Sequence, residues 1–126
     1  MYKVLLVDDD VHILNANETY LARLGYQISR AEDGERALRL ASSAAFDAIV
    51  LDVDMPDMDG VAVCSRLREV SAVPIIFLSA YARTDDRIRG LMAGGDDYIG
   101  KPYSLVELEL RLRLRIQRHL KVETGE

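Results

Sequence analysis

A doubly wound α/β fold around a five-stranded parallel sheet is predicted by three features of this 126-residue chain. Short apolar runs alternate with segments of helical length, which is the pattern of consecutive βα units. The runs VLLV, AIVL and IIFL are continuously apolar, as strands covered on both faces should be. Charged residues also close three of the runs: Asp8-Asp9-Asp10 after VLLV, Asp52 after AIVL, and Lys101 after DDYIG. In open α/β sheets the C-terminal strand edge is where ligands bind.

The strands are expected at 4–7, 26–30, 48–51, 75–78 and 98–100, and the helices at 11–24, 34–45, 59–70, 84–93 and 104–120. The second strand, YQISR, alternates and carries polar residues, so it belongs at an edge. The fifth is short and contains Gly100, which also suits an edge. That pattern fits the order 2-1-3-4-5, with the reversal beside the first strand.

The last helix needs a separate argument. From Val106 to Ile116 apolar and charged residues alternate, as on a half-exposed strand. Leu, Glu and Arg are strong helix formers, however, and no turn residue interrupts them. Ser104 with Glu107 three residues on makes a capping box after Pro102. At about 100° per residue, Leu105, Leu108, Leu112 and Ile116 share the core face. Val106, Leu110 and Leu114 fall on the far side beside Glu107, Arg111, Arg113 and Arg118. An exposed apolar stripe with a charged border reads as a partner surface.

Composition narrows the classes. Apolar residues make up 49% and charged residues 29%, as in an ordinary globule. No apolar run approaches the roughly 18–20 residues of a membrane span, and the N-terminus opens straight into a strand. The single cysteine, Cys64, excludes an internal disulfide and suits a reducing, cytoplasmic setting as a small buried residue on a helix. A net charge of −5 argues against nucleic-acid binding by the domain, although 104–121 is locally basic. His12 and His119 are expected to face solvent. Residues 1–121 are expected to form the domain, and 122–126 (VETGE) to begin a linker or tail.

The strand-end residues suggest a chemistry. Clustered carboxylates repel unless a hard divalent cation joins them, and Mg²⁺ takes carboxylate and phosphate oxygens. A lysine at the same edge supplies a point charge for phosphoryl oxygens. The combination reads as an aspartate that accepts a phosphoryl group.

Four blocks, VLLVDDD, AIVLDVDMPDMDG, PIIFLSA and DDYIGKP, resemble the signature blocks of bacterial two-component response-regulator receiver domains, in order and spacing and over essentially the whole chain. The resemblance implies a flavodoxin-like fold and a phosphorylatable switch. It implies that Asp52 accepts a phosphoryl group from a sensor histidine kinase, with Lys101 and Ser79 contacting the phosphoryl oxygens. Asp9 and Asp52 would ligate Mg²⁺, Asp8 through water and Asp54 through its backbone carbonyl. Met55-Pro56 and Asp59-Gly60 would shape the loop after the acceptor, with Gly60 in a strained turn. The Lys101–Pro102 bond would be cis. Ser79 and Tyr98 would be the switch pair, Tyr98 turning inward on activation, and Tyr81 would tune dephosphorylation.

The C-terminal block resembles receivers that precede a winged-helix DNA-binding domain, which implies transcriptional output and no DNA contact by this domain itself, with cyclase-linked and stand-alone receivers as the alternatives. It also implies a phosphorylation-dependent homodimer through helix 84–93, strand 98–100 and helix 104–120. That face carries Arg87, Ile88, Leu91, Asp96, Asp97, Glu107, Leu110, Arg111 and Arg113, with Arg87–Glu107 and Asp97–Arg111 expected to pair between subunits. Two other classes compete. Asp52-Val53-Asp54 also resembles the DxD motif of haloacid-dehalogenase-like phosphatases, against which stand Asp8-Asp9 preceding it, Met55-Pro56 in the loop, and a chain too short for a cap. A non-phosphorylated pseudo-receiver would be a pure binding module.

Overall fold

The computed structural model describes residues 1–56, 59–80 and 84–124. Ten elements alternate: β1 (Lys3–Val7), α1 (Val11–Arg23), β2 (Gln27–Ala31), α2 (Gly34–Ser43), β3 (Ala48–Asp52), α3 (Gly60–Val70), β4 (Ile75–Ser79), α4 (Thr84–Met92), β5 (Asp97–Gly100) and α5 (Leu105–Thr124). The strands form one parallel sheet in the order β2-β1-β3-β4-β5. Both predicted edges are therefore edges, and the order reverses beside β1.

Strand alternation divides the core in two. Leu5, Val7, Ile49, Leu51, Ile75 and Phe77 point to one face and pack with Ala37 and Ala41 of α2 and Val63, Cys64 and Leu67 of α3. Val4, Leu6, Val50, Ile76, Leu78 and Ile99 point to the other and meet Leu14 and Leu21 of α1 and Leu108, Leu112 and Ile116 of α5. Cys64 is fully buried, as expected. Burying side chains of this size stabilises by about 1.5–3 kcal/mol each before chain entropy is counted.

The helices start where the sequence supplies caps. Asp10 accepts from the His12 and Ile13 amides, Asp33 from Arg36, Asp59 from Val61, and Ser104 from Glu107. In α5 the reciprocal half of the capping box is replaced, because Glu107 Oε2 accepts from Arg111 one turn on. The core face of α5 is the expected one, with Leu105 half-buried at its start, and Val106, Leu110 and Leu114 are exposed.

Some boundaries differ. Tyr26 precedes β2, held by its hydroxyl to Glu109 Oε2 at 2.6 Å rather than by a strand ladder. Helix α5 continues to Thr124, through positions where a linker was expected to begin. Gly60 is not in a strained turn, because the positive-φ glycines are Gly25 and Gly94. A Cβ on Gly60 would instead collide with the Val53 backbone, so α3 sits against the loop after β3 only because that position is glycine. His12 is exposed as expected, whereas His119 is half-buried. Tyr81 lies outside the described residues.

Candidate functional site

Parallel strands in register bring their C-terminal ends to one edge, and the polar residues there come together. The acidic run after β1 separates into three roles. Asp10 caps α1, Asp9 is exposed, and Asp8 is buried at 2% exposure with Oδ1 accepting from the Asp10 amide at 2.9 Å. Asp8 Oδ2 is buried with no hydrogen-bond partner among the described residues. Asp52, the last residue of β3, is also buried, and carboxylate oxygens of Asp8, Asp9 and Asp52 all lie within 4.8 Å of one another.

In this setting the Asp8 carboxyl is raised to about 7. Burial is the main cause, the charge of Asp52 adds to it, and the Asp10 amide opposes it. Lys101, at the end of β5 across a cis peptide bond to Pro102, places Nζ 3.3 Å from Asp52 Oδ1 and 3.8 Å from Asp54 Oδ2. Burial alone would lower the ammonium's pKa, but Asp52, Asp8 and Asp54 outweigh it and the net shift is upward. Lys101 therefore stays charged beside three carboxylates.

The donor set fits a hard divalent cation. An orphaned, buried carboxylate oxygen in a cluster of three acids is what an oxygen-ligated metal satisfies, and the described residues here offer it nothing else.

Asp54 behaves differently from expectation. Its amide donates to Asp52 Oδ1 at 2.9 Å, which ties the loop to the strand end. Its side chain, for which no task was foreseen, accepts from Ser79 Oγ at 2.8 Å and from the Ala80 amide at 2.7 Å. Ser79 thus ends β4 with its hydroxyl directed to Asp54. Tyr98 is buried, its ring edge-on to Phe77 at 5.7 Å between centroids, so it already lies inward. A cleft of about 580 Å³ opens beside these groups, lined by Val53, Asp54, Asp59, Val61, Ser79, Asp86, Arg89 and Tyr98.

The face of α4, β5 and α5 is partly as expected. Ile88 and Leu91 are exposed with the α5 stripe, and Arg87 and Arg113 are exposed beside them. Asp96 is a correction: its Oδ2 accepts from Arg68 Nη2 at 2.6 Å and from the Ile75 amide at 2.8 Å, so it is turned toward α3 and β4. Arg68 also binds the carbonyls of Gly94, Ser71 and Val73, a lock between α3 and α4 that sequence reading missed. The Asp97–Arg111 pair exists, but within one chain, with Arg115 on the other Asp97 oxygen. Also unforeseen is Asn17, buried in α1, which donates to Tyr103 Oη at 3.0 Å and ties α1 to the loop before α5.

The model of the response regulator receiver domain matches residues 4–113. The chain belongs to that family. The receiver is 43% identical over 118 residues to the transcriptional regulatory protein YrkP of Bacillus subtilis, covering 94% of this chain and 51% of that one. It is 46% identical over 117 residues to the transcriptional regulatory protein PrrA of Mycobacterium leprae, covering 92% and 50%. The chain thus spans about half the length of these curated relatives.

Among solved structures, the Francisella response regulator 1452 receiver domain superposes with a TM-score of 0.88 at 38% identity, over 94% of this chain and 99% of that one. The receiver domain of sensor histidine kinase PA1611 from Pseudomonas aeruginosa superposes at 0.84 and 35% identity, over 92% and 98%, and holds a magnesium ion in its active-site cleft. The doubly wound order and the two-component receiver assignment both stand, and the dehalogenase-like alternative falls away. Among the described residues no helix is long and apolar enough to cross a membrane.

Proposed function

We propose that this receiver is the phosphoryl-accepting switch of a cytoplasmic two-component system, with Asp52 as acceptor. The observation that carries the reading is the position of Asp52: buried at the end of a central strand, 3.3 Å from Lys101 Nζ and grouped with Asp8 and Asp9. Asp52 Oδ1 is held by the Asp54 amide and Lys101, which leaves Oδ2 to attack phosphorus. A P–O bond to Asp52 forms as the P–N bond of a phosphohistidine on a sensor kinase breaks, and the departing imidazole takes a proton from solvent. Lys101 neutralises phosphoryl oxygens from one side, and Ser79 donates its hydroxyl to another oxygen. Mg²⁺, held by Asp9, Asp52 and the Asp54 carbonyl, with Asp8 through water, would offset the negative charge of a loose phosphoryl transition state.

The switch then runs through β4 and β5. Drawing Ser79 and Lys101 toward Asp52 moves the ends of both strands, and Tyr98 and Phe77, packed on each other and against Gly90 of α4, couple them to that helix. The α4–β5–α5 face is the output surface and pairs with a second copy, the exposed leucines supplying attraction and the charged rim register. The names of the curated relatives support transcriptional control, and the net charge of −5 supports leaving the DNA contact to a separate domain rather than to this one.

The test is incubation with acetyl phosphate and Mg²⁺. The expected result is one acid-stable, base-labile phosphate on the wild type and none on Asp52→Asn, whose circular dichroism matches the wild type. Labelling that persists in Asp52→Asn and maps elsewhere overturns the assignment, and a wild type that is never labelled makes the chain a pseudo-receiver.

A further inference from the structure

We propose that the Asp54 carboxylate is an internal competitor for the phosphoryl group's own ligands, and so sets how readily the site accepts phosphate. This positioning role rests on Asp52 being the acceptor. A group on Asp52 would call on hydrogen-bond donors at the ends of β4 and β5, and Asp54 already holds them. Ser79 Oγ donates to its Oδ1 at 2.8 Å, the Ala80 amide donates to its Oδ2 at 2.7 Å, and Lys101 Nζ stands 3.8 Å from that same oxygen.

A serine hydroxyl and a backbone amide each have one proton to give, so neither serves two anions fully at once. Asp54 cannot simply drift off, because its own amide is fixed to Asp52 Oδ1. Its side chain can turn, and the adjoining cleft that it lines with Val53 and Ser79 gives it room. Phosphorylation therefore exchanges one anion for another on the same donors, and the free energy of releasing Asp54 is subtracted from the binding of the newcomer. A receiver with a neutral side chain at this position would carry no such counterweight.

The experiment measures beryllofluoride binding in the presence of Mg²⁺ by fluorine NMR, for the wild type, Asp54→Ala and Asp54→Asn, each with Ser79 and with Ser79→Ala. Amide hydrogen exchange at Ala80 is followed in the same proteins without metal or fluoride. Asp54→Ala is expected to bind about tenfold tighter than wild type, the scale of one or two hydrogen bonds no longer competed for. Asp54→Asn, which keeps one acceptor oxygen, gains less. The Ala80 amide exchanges faster in Asp54→Ala, and the gain from Asp54→Ala shrinks in the Ser79→Ala background. Binding no tighter in either Asp54 variant overturns the inference. A gain undiminished by Ser79→Ala overturns it too, since charge repulsion alone would then explain the effect. Should Asp54→Ala fail to fold, the sign of the Asp54→Asn effect decides. A wild type that binds no beryllofluoride overturns the acceptor reading instead.

Discussion

Arg111 and Asp97 are joined within one chain, Nη1 to Oδ1 at 2.8 Å, although the sequence suggests a pair between subunits. Arg111 also reaches Glu107 one turn back at 3.0 Å, so both its acidic neighbours are internal. A dimer through this face would exchange internal pairs for external ones of the same kind. Such an exchange adds little net free energy, and exposed pairs are worth about 0.2–1 kcal/mol in any case. The apolar stripe of Val106, Leu110 and Leu114 must then supply the attraction.

Arg111→Glu tests this division of labour. The variant sets a third carboxylate beside Asp97 and Glu107, so each monomer loses two partly exposed pairs and gains local repulsion. The face as a whole turns acidic toward a second copy, which opposes the dimer. The expected result is a melting temperature within a few degrees of wild type and no dimer with beryllofluoride and Mg²⁺ in sedimentation equilibrium. Leu110→Ala should weaken the dimer without a charge change. A wild type that stays monomeric when fully activated at high concentration rules out the dimer altogether.

A second prediction follows from the buried, unpartnered Asp8 oxygen. An unsatisfied buried acceptor costs about 1–3 kcal/mol, and here it belongs to an acid beside Asp52. Asp8→Asn removes the repulsion and offers an amide hydrogen toward Asp52. Calorimetric melts in EDTA should show Asp8→Asn more stable than wild type, and millimolar Mg²⁺ should raise the wild-type melting temperature but move the variant far less. Asp9, which is exposed, should matter less to metal-free stability than to metal binding. Identical responses of wild type and Asp8→Asn to Mg²⁺ would count against a shared metal site.

How far the sequence could be read depended on where each signal lay. Strands covered on both faces leave continuous apolar runs, and carboxylates ending two of them marked the site edge directly. The face of α5 followed from helical spacing alone, against a pattern that imitated a strand. What stayed hidden were tertiary partners. Nothing local announces that the Asp54 side chain will meet Ser79 and Ala80, since the meeting depends on β3 and β4 being neighbours in the sheet. The sequence suggests that Asp96 and Asp97 share one face. Residues adjacent in extended chain point to opposite sides, and here one reaches Arg68 while the other reaches Arg111 and Arg115. That alternation was available in the sequence and would have separated them.

Gly60 supplies a third prediction. A Cβ at this position runs into the Val53 backbone, in the loop that follows Asp52, and no flexible side-chain tip is there to move aside. Gly60→Ala should therefore push the start of α3 away from the loop and cost about 1–3 kcal/mol, as overpacking does. Denaturant melts measure the loss, and the labelling rate with acetyl phosphate should fall with it because the Asp54 amide contact to Asp52 is shifted. A substitution at Gly25, where nothing lies near the added carbon, should cost stability through its positive φ but leave labelling unchanged.

The last prediction concerns Cys64, fully buried between α3 and the sheet. Burial pushes its thiol up to about 11 from an ordinary 9.0, with Asp96 adding slightly and Arg68 opposing. The folded chain therefore keeps this proton after the unfolded chain has lost it. Stability from this group is complete below pH 9 and declines as pH rises toward 11, because the unfolded state then binds fewer protons than the native state. The full decline amounts to about 2–3 kcal/mol. Other groups titrate in the same range, so the informative quantity is the difference between wild type and Cys64→Ala. Wild type should be the more stable protein at pH 7, since alanine leaves a small cavity, and that advantage should narrow or reverse by pH 11. In native protein at pH 8 a disulfide reagent should react with Cys64 only at the rate of unfolding, and denaturant should release one fast equivalent. Rapid modification of the native protein, or a pH-independent gap between the two melting curves, would show the thiol to be reachable and the packing around α3 looser than described.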